Sequence, residues 1–188
     1  STRQRVFFVT AALLIALGVL FPLPRRATEG MDNPFTDRVD GILGNPADAG
    51  PSRWDSKAQM PTARVRLAVV VCQGKVYAIG GDTAHGVTGV VEVYDPDTDA
   101  WARQASKPHP VRNIGAAVLD NRIYVPGGYD AMDEAIATVE VYDPLSDTWS
   151  EVAPLPTPLF AYAIAAVSDK LYLFGGSDGV RYLDTVYI

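Results

Sequence analysis

The chain has 188 residues, of which 48% are hydrophobic and 20% charged, a balance that supports a packed core rather than a disordered tail. Its net charge of −6 makes it a poor ligand for a phosphate backbone, so no nucleic-acid partner is expected. One cysteine and two histidines exclude a disulfide scaffold and a zinc site of clustered Cys and His; no metal site and no cofactor are expected.

The charge is unevenly spread. Arg3, Arg5, Arg25 and Arg26 flank an apolar run, and every acid follows Ala27, so residues 28–188 alone carry −10. Val6 to Phe21 contains no charge and only Thr10 as a polar side chain. As a helix those residues rise about 24 Å, or about 27 Å on reaching Leu23, against a hydrocarbon core of roughly 30 Å. The exit, Pro22 to Ala27, has no small-x-small triplet for a signal peptidase. Residues 1–27 are therefore expected to form an N-terminal anchor crossing the membrane through residues 6–23; a cleaved signal segment, giving a secreted protein, is the alternative. Either way the domain is placed outside the cytoplasm. Residues 28–52 are rich in Gly, Pro, Asp and Asn without a sustained period, and are expected to be a linker.

From Trp54 onward the chain repeats. Trp54, Trp101 and Trp149 lie 47 and 48 residues apart. Pro61, Pro108 and Pro156 follow them by seven residues, and Tyr77, Tyr124 and Tyr172 by 23. Glycine pairs come next, at Gly80-Gly81, Gly127-Gly128 and Gly175-Gly176. The sequence Glu-Val-Tyr-Asp-Pro then occupies 92–96 and again 140–144.

Each period reads as four strands. Leu67–Cys72, Ile114–Leu119 and Tyr162–Val167 are almost wholly apolar, which predicts strands covered on both faces. Two-residue polar turns, Gln73-Gly74, Asp120-Asn121 and Ser168-Asp169, lead into second strands over Lys75–Ile79, Arg122–Val125 and Lys170–Phe174. Pro126 stands where the other repeats have Ile79 and Phe174, and is tolerable there if the strand is ending. A third strand carries Val-Tyr, an Asp-Pro turn follows, and a short fourth strand carries the tryptophan.

This pattern resembles the kelch repeat, and the resemblance covers Trp54–Ile188. It implies an all-β fold of four-stranded antiparallel blades, a kelch-type β-propeller with an incomplete ring, preceded by one N-terminal hydrophobic helix. An outer strand is expected over 53–58, blades over 61–105 and 108–153, and a partial blade over 156–188. Propellers close with four to eight blades, so a piece of a longer chain is expected. The tyrosines and tryptophans are expected to pack between blades as structural residues. The resemblance further implies a binding module for a protein or carbohydrate ligand, more readily than an enzyme. Arg64, Arg66, Arg112, Asn113 and Tyr162 lie beside the starts of the innermost strands and are the candidate binding residues at the propeller mouth. Loops 82–89, 129–137 and 177–182 differ in length and sequence, as binding loops on a constant scaffold do. The enzymatic alternatives are a sugar epimerase-like propeller and a galactose oxidase-like one. The latter would draw its ligands from His85, His109 and Cys72, and Cys72 reads instead as a small core side chain. No catalytic residue is identified.

Overall fold

The structure, a computed structural model, describes residues 54–188. The expected helix of residues 6–23 and the linker lie outside the described residues; among those described, no helix is long and apolar enough to cross a membrane.

Three antiparallel sheets follow one another along the chain. The first has the order β1 (Ala68–Cys72), β2 (Lys75–Ile79), β5 (Val91–Asp95), β6 (Ala100–Gln104). Between β2 and β5, β3 (Asp82–Thr83) and β4 (Gly86–Val87) form a small separate hairpin. The second sheet consists of β7 (Ala117–Leu119), β8 (Arg122–Tyr129), β9 (Ala135–Asp143) and β10 (Thr148–Val152), in that order. The third pairs β11 (Ala163–Val167), β12 (Lys170–Phe174) and β13 (Val186–Tyr187). These are the blades that the repeat predicts.

The two-residue hairpins form where the polar dipeptides stand. Gln73-Gly74 and Asp120-Asn121 have positive φ at both positions, and Ser168 at the first of its pair, as primed turns require. The core lies between sheets. Ile79, Val91, Val111, Ile123, Val125 and Tyr142 are fully buried between the first and second, while Leu159, Tyr162 and Leu173 form a smaller cluster toward the third.

Three expectations need correction. Residues 54–58 carry no strand; what holds Ala58 is a pair of side chains from the following sheet. The innermost strands of the first and third sheets are not covered on both faces, whereas β7 of the middle sheet packs against both neighbours. In β1, Ala68 and Cys72 are buried, but Val69 and Val71 are 58% and 62% exposed, because among the described residues only the second sheet packs against this strand. The second strand of the middle sheet does not end at Pro126. It continues to Tyr129 through a bulge between Pro126 and Gly128, and β9 lengthens to match. The bulge keeps Pro126 opposite Val139 and lets the glycine pair turn without ending the strand.

That glycine pair is one of the joints between blades. The first glycine of each pair has φ of 63°, 57° and 60°, the second 101°, 122° and 99°. The second also donates its N–H to the next blade, Gly81 to the Val111 carbonyl and Gly128 to the Leu159 carbonyl, both at 2.8 Å. A Cβ on Gly128 would lie 2.6 Å from Val111 Cβ, so both the angle and the space demand glycine.

A second joint sits at the outer edge. Trp149 Nε1 donates to the Ala105 carbonyl at 2.9 Å, and the Ala105 N–H donates to Asp147 at 2.8 Å. The same carboxylate oxygen accepts the Tyr142 hydroxyl at 2.6 Å, and the Tyr142 and Trp149 rings pack at 5.1 Å. One blade earlier, Trp101, Asp99 and Tyr94 treat both polar groups of Ala58 in the same way, at 2.9, 2.9 and 2.7 Å. The tryptophans thus fasten blades through their N–H groups. Of the repeated tyrosines, Tyr77 packs across the joint on Tyr142 at 6.0 Å, Tyr124 is half-buried, and Tyr172 stacks on Phe174 of its own strand.

The latch has a pH signature. The Ala58 N–H and then the Tyr94 hydroxyl hold the Asp99 carboxyl below its ordinary 3.8. The bond to Asp99 holds the Tyr94 phenol above its ordinary 10.0; burial, then Asp147, does the same to Tyr142. A lowered carboxyl gives stability that is present above its unfolded value and lost as pH falls through the folded one. A raised phenol gives stability that is present below its unfolded value and lost as pH rises beyond it. Thermal melts across pH should therefore show a plateau that falls away below about pH 4 and above about pH 10. Tyr142→Phe should flatten the alkaline limb; an unchanged limb would show that this phenol is not linked to folding.

Candidate functional site

The chain enters each blade and leaves each glycine pair at the same end of the sheets. Isolated bridges tie the two segments together there, Val65 to Asp82, Arg112 to Tyr129 and Phe160 to Ser177. This end is the mouth. Two residues before each innermost strand, or slightly further, a backbone turn recurs: Arg66, Asn113 and Ala161 have φ of 58°, 54° and 55°. They form a ladder from blade to blade, with the Asn113 N–H on the Arg66 carbonyl at 2.9 Å and the Ala161 N–H on the Asn113 carbonyl at 2.7 Å. Asn113, a candidate binding residue, is thus structural through its backbone.

The other candidates separate into two groups. Arg64 and Tyr162 are buried inside the blades, with only the Arg64 Nε left without a partner among their polar atoms. Arg64 donates to the Val90 and Ala78 carbonyls at 2.9 and 3.0 Å and pairs with Glu92 at 3.0 Å. Burial pulls its guanidinium below the ordinary value, against the opposing pull of Glu92. The Tyr162 hydroxyl donates to the Pro126 carbonyl of the preceding blade, and burial raises its phenol well above the usual range. Neither side chain is available to a ligand.

Arg66 and Arg112 do reach the mouth. Both pair with the same Asp82 oxygen, at 3.4 and 3.3 Å, and Arg112 also pairs with Asp133 of its own blade's loop. The Arg112 guanidinium lies 5.3 Å from the centre of the Tyr129 ring, which packs on Phe160 of the third blade at 4.5 Å. The loop that supplies Asp133 is shaped by Asp130, whose Oδ1 accepts the N–H groups of Met132 and Glu134 at 2.8 and 2.9 Å. Part of the acidic group at 130–134 is therefore turn chemistry.

Clefts open at this end beside each loop. One of about 410 Å³ is bordered by Arg64, Val65 and Asp82; one of about 370 Å³ by Phe160, Ser177 and Tyr182. The middle one, about 270 Å³, is the most apolar and lies between Val87 of the first blade and His109, Pro110, Met132 and Ile136 of the second.

Sequence reasoning missed a buried polar position that the blades share. The Glu of each Glu-Val-Tyr-Asp-Pro motif is buried and paired: Glu92 with Arg64, Glu140 with Lys107. The cation comes from different positions in the two repeats, three residues after the proline in one and one residue before it in the other. Lys107 has a fully buried side chain, and burial lowers its ammonium below the ordinary value despite Glu140. The residue after each proline completes the position. Thr62 Oγ1 donates to Glu92 at 2.6 Å, His109 Nδ1 lies 3.1 Å from Glu140, and the Tyr187 hydroxyl donates to Thr157 at 3.4 Å. The repeated Glu-to-proline spacing was the available signal. Of the residues the copper alternative would use, Cys72 is buried with its Sγ 3.6 Å from the Asn121 carbonyl, and His85 is exposed on the β3–β4 turn.

Comparison with known proteins points one way. The profile described as KLHDC2/KLHL20/DRC7 Kelch-repeats domain matches residues 50–176. Kelch-like protein terF of Aspergillus terreus is 42% identical over 83 residues, 40% of this chain and 18% of that protein. Kelch-like protein 35 of Mus musculus is 34% identical over 109 residues, 58% of this chain and 17% of its own length. Among solved structures, the one titled "Structure of YjhT" superposes with a TM-score of 0.60 at 18% identity, covering 67% of this chain and 49% of that one. The chain thus spans less than a fifth of these curated relatives and about half of the solved structure.

Because Arg64 supports the blade, Arg64→Met should cost roughly 3–5 kcal/mol by stranding the buried Glu92, and Arg64→Met with Glu92→Met should recover most of it. Urea melts of the singles and the double would show this; a Arg64→Met variant of normal stability would contradict the structural role.

Proposed function

The chain belongs to the kelch-repeat family, and from that premise we propose that it is a protein-binding module that engages its partner at the mouth. The observation that carries the reading is the linked group Arg66, Asp82, Arg112 and Asp133, set beside Tyr129 and Phe160. Charges of both signs next to aromatic faces, on loops that a hydrogen-bonded ladder holds rigid, favour recognition over chemistry. Prepaired arginines contribute selectivity, since a partner must match both signs. A photo-crosslinking residue placed at Met132, 77% exposed beside the middle cleft, should capture a partner in the native cells. The same residue at Leu145, 89% exposed on an Asp-Pro turn, should not. Capture from Leu145 alone would overturn the mouth as the binding end.

The reading extends to location. The uncharged run Val6–Phe21 between arginine pairs supports a membrane anchor, and the acidic, turn-rich domain after it supports a position outside the cytoplasm. Fractionation should find the protein in membranes with residues 6–23 retained. A mature N-terminus near Thr28 would instead establish a cleaved signal.

A further inference from the structure

The two complete blades carry the same locus with different chemistry. In the first, Glu92 on β5 stands directly opposite Arg103 on β6, and Thr62 donates to Glu92. In the second, the corresponding residues are Glu140, Glu151 and His109. A cross-strand pair of opposite charges has become carboxylate against carboxylate, which is destabilising unless a positive charge lies between them. Lys107 answers Glu140 only from the buried side, through Oε2. Glu140 Oε1 faces the other way, toward His109.

There the distances suit a metal ion. His109 Nδ1 lies 3.1 Å from Glu140 Oε1 and 3.8 Å from Glu151 Oε1. All three ligand atoms lie within 4.8 Å of one another. A tetrahedral zinc ion with ligands at about 2.0–2.1 Å has ligand-to-ligand edges of about 3.3 Å, between the two measured values. The Glu140 side chain is fully buried, while those of His109 and Glu151 are 53% and 61% exposed, which leaves an open approach and room for water as a further ligand. Lys107 on Oε2 holds the inner carboxylate in place, as outer hydrogen bonds do around metal ligands.

We infer that His109, Glu140 and Glu151 form a binding site for a divalent transition-metal cation of the zinc class. One imidazole with carboxylates suits zinc and its first-row neighbours, whereas magnesium and calcium take oxygen ligands alone. On binding, Nδ1 gives its lone pair to the metal and the ring proton resides on Nε2. A single histidine in the loop beside two carboxylates on paired strands lacks the Cys and His clustering by which composition marks a zinc site.

The first blade supplies the control substitutions, because it folds with Thr and Arg at these positions. The full chain, purified in detergent and freed of metal with EDTA, would be titrated with zinc chloride and with magnesium chloride by calorimetry and thermal melts. Zinc should bind and raise the melting temperature, magnesium should do neither, and His109→Thr and Glu151→Arg should each weaken zinc binding by about 100-fold or more. Glu151→Gln, a milder change at an exposed position, carries the same expectation should Glu151→Arg fail to fold. No zinc binding by the folded wild type at millimolar metal, or undiminished affinity in any of these folded variants, would overturn the site.

Discussion

A single blade cannot bury its own faces, and the hydrogen bonds that cross from blade to blade are the constraint on which the rest depends. Three sets were found. At the inner end the backbone ladder runs through Arg66, Asn113 and Ala161; at the middle the first two glycine pairs donate to the next blade; at the outer edge Asp and Trp grip both polar groups of Ala58 and Ala105. Each bond contributes only about 0.5–1.5 kcal/mol net, and those at the glycine joints also satisfy the carbonyls of the buried Val111 and Leu159, which would otherwise be stranded between sheets. Register between blades is thereby fixed at three radii, and the apolar core is packed within that frame.

The frame decides what the mouth can do. Its loops rest on the inner ladder and the glycine joints, so Arg66 and Arg112 are presented from nearly fixed backbone positions. Sharing Asp82 compensates their charge, with the Arg66 side chain half-exposed and that of Arg112 largely covered. The mouth therefore presents a patterned surface rather than a net charge, and the overall −6 says little about it. The same compensation appears inside the blade in sterner form. Arg64 and Lys107 are charged groups taken out of water, and each is retained because a motif glutamate stands against it.

Much of the fold was legible because the devices that build it recur in the sequence. The glycine pairs, the primed-turn dipeptides and the Val-Tyr strands lie where the spacing placed them, within a residue or two. What was not legible lacked a residue-type signal. The left-handed turns at the mouth are occupied by Arg, Asn and Ala, three residues with no shared preference for positive φ. Continuation of β8 past Pro126 depended on a bulge that only the partner strand's register reveals. The candidate site was legible in position and not in assignment. Arg64 and Arg66 are two residues apart, yet one points its guanidinium into the sheet and the other pairs at the surface. In an extended backbone residues two apart would share a face; the left-handed turn at Arg66, φ 58°, breaks that pattern, and the arginine type carries no mark of it.

The shared buried position shows how a repeat can diverge without losing its fold. Its requirement is physical: a polar atom on the third strand must be answered by the residue after the proline. Thr62 with Glu92, His109 with Glu140, and Thr157 with Tyr187 are three answers. Where the glutamate is kept, its buried cation can come from either side of the proline, since Arg64 and Lys107 reach the same carboxylate position from opposite directions along the chain. Where the glutamate is replaced by tyrosine, the need for a cation disappears, and the residues that would supply it, Leu155 and Leu159, are apolar. The fold constrains the sum of charge and hydrogen bonding at this place rather than any one residue. That freedom allows one blade to carry a histidine and a second carboxylate at a position its neighbour fills with threonine and arginine.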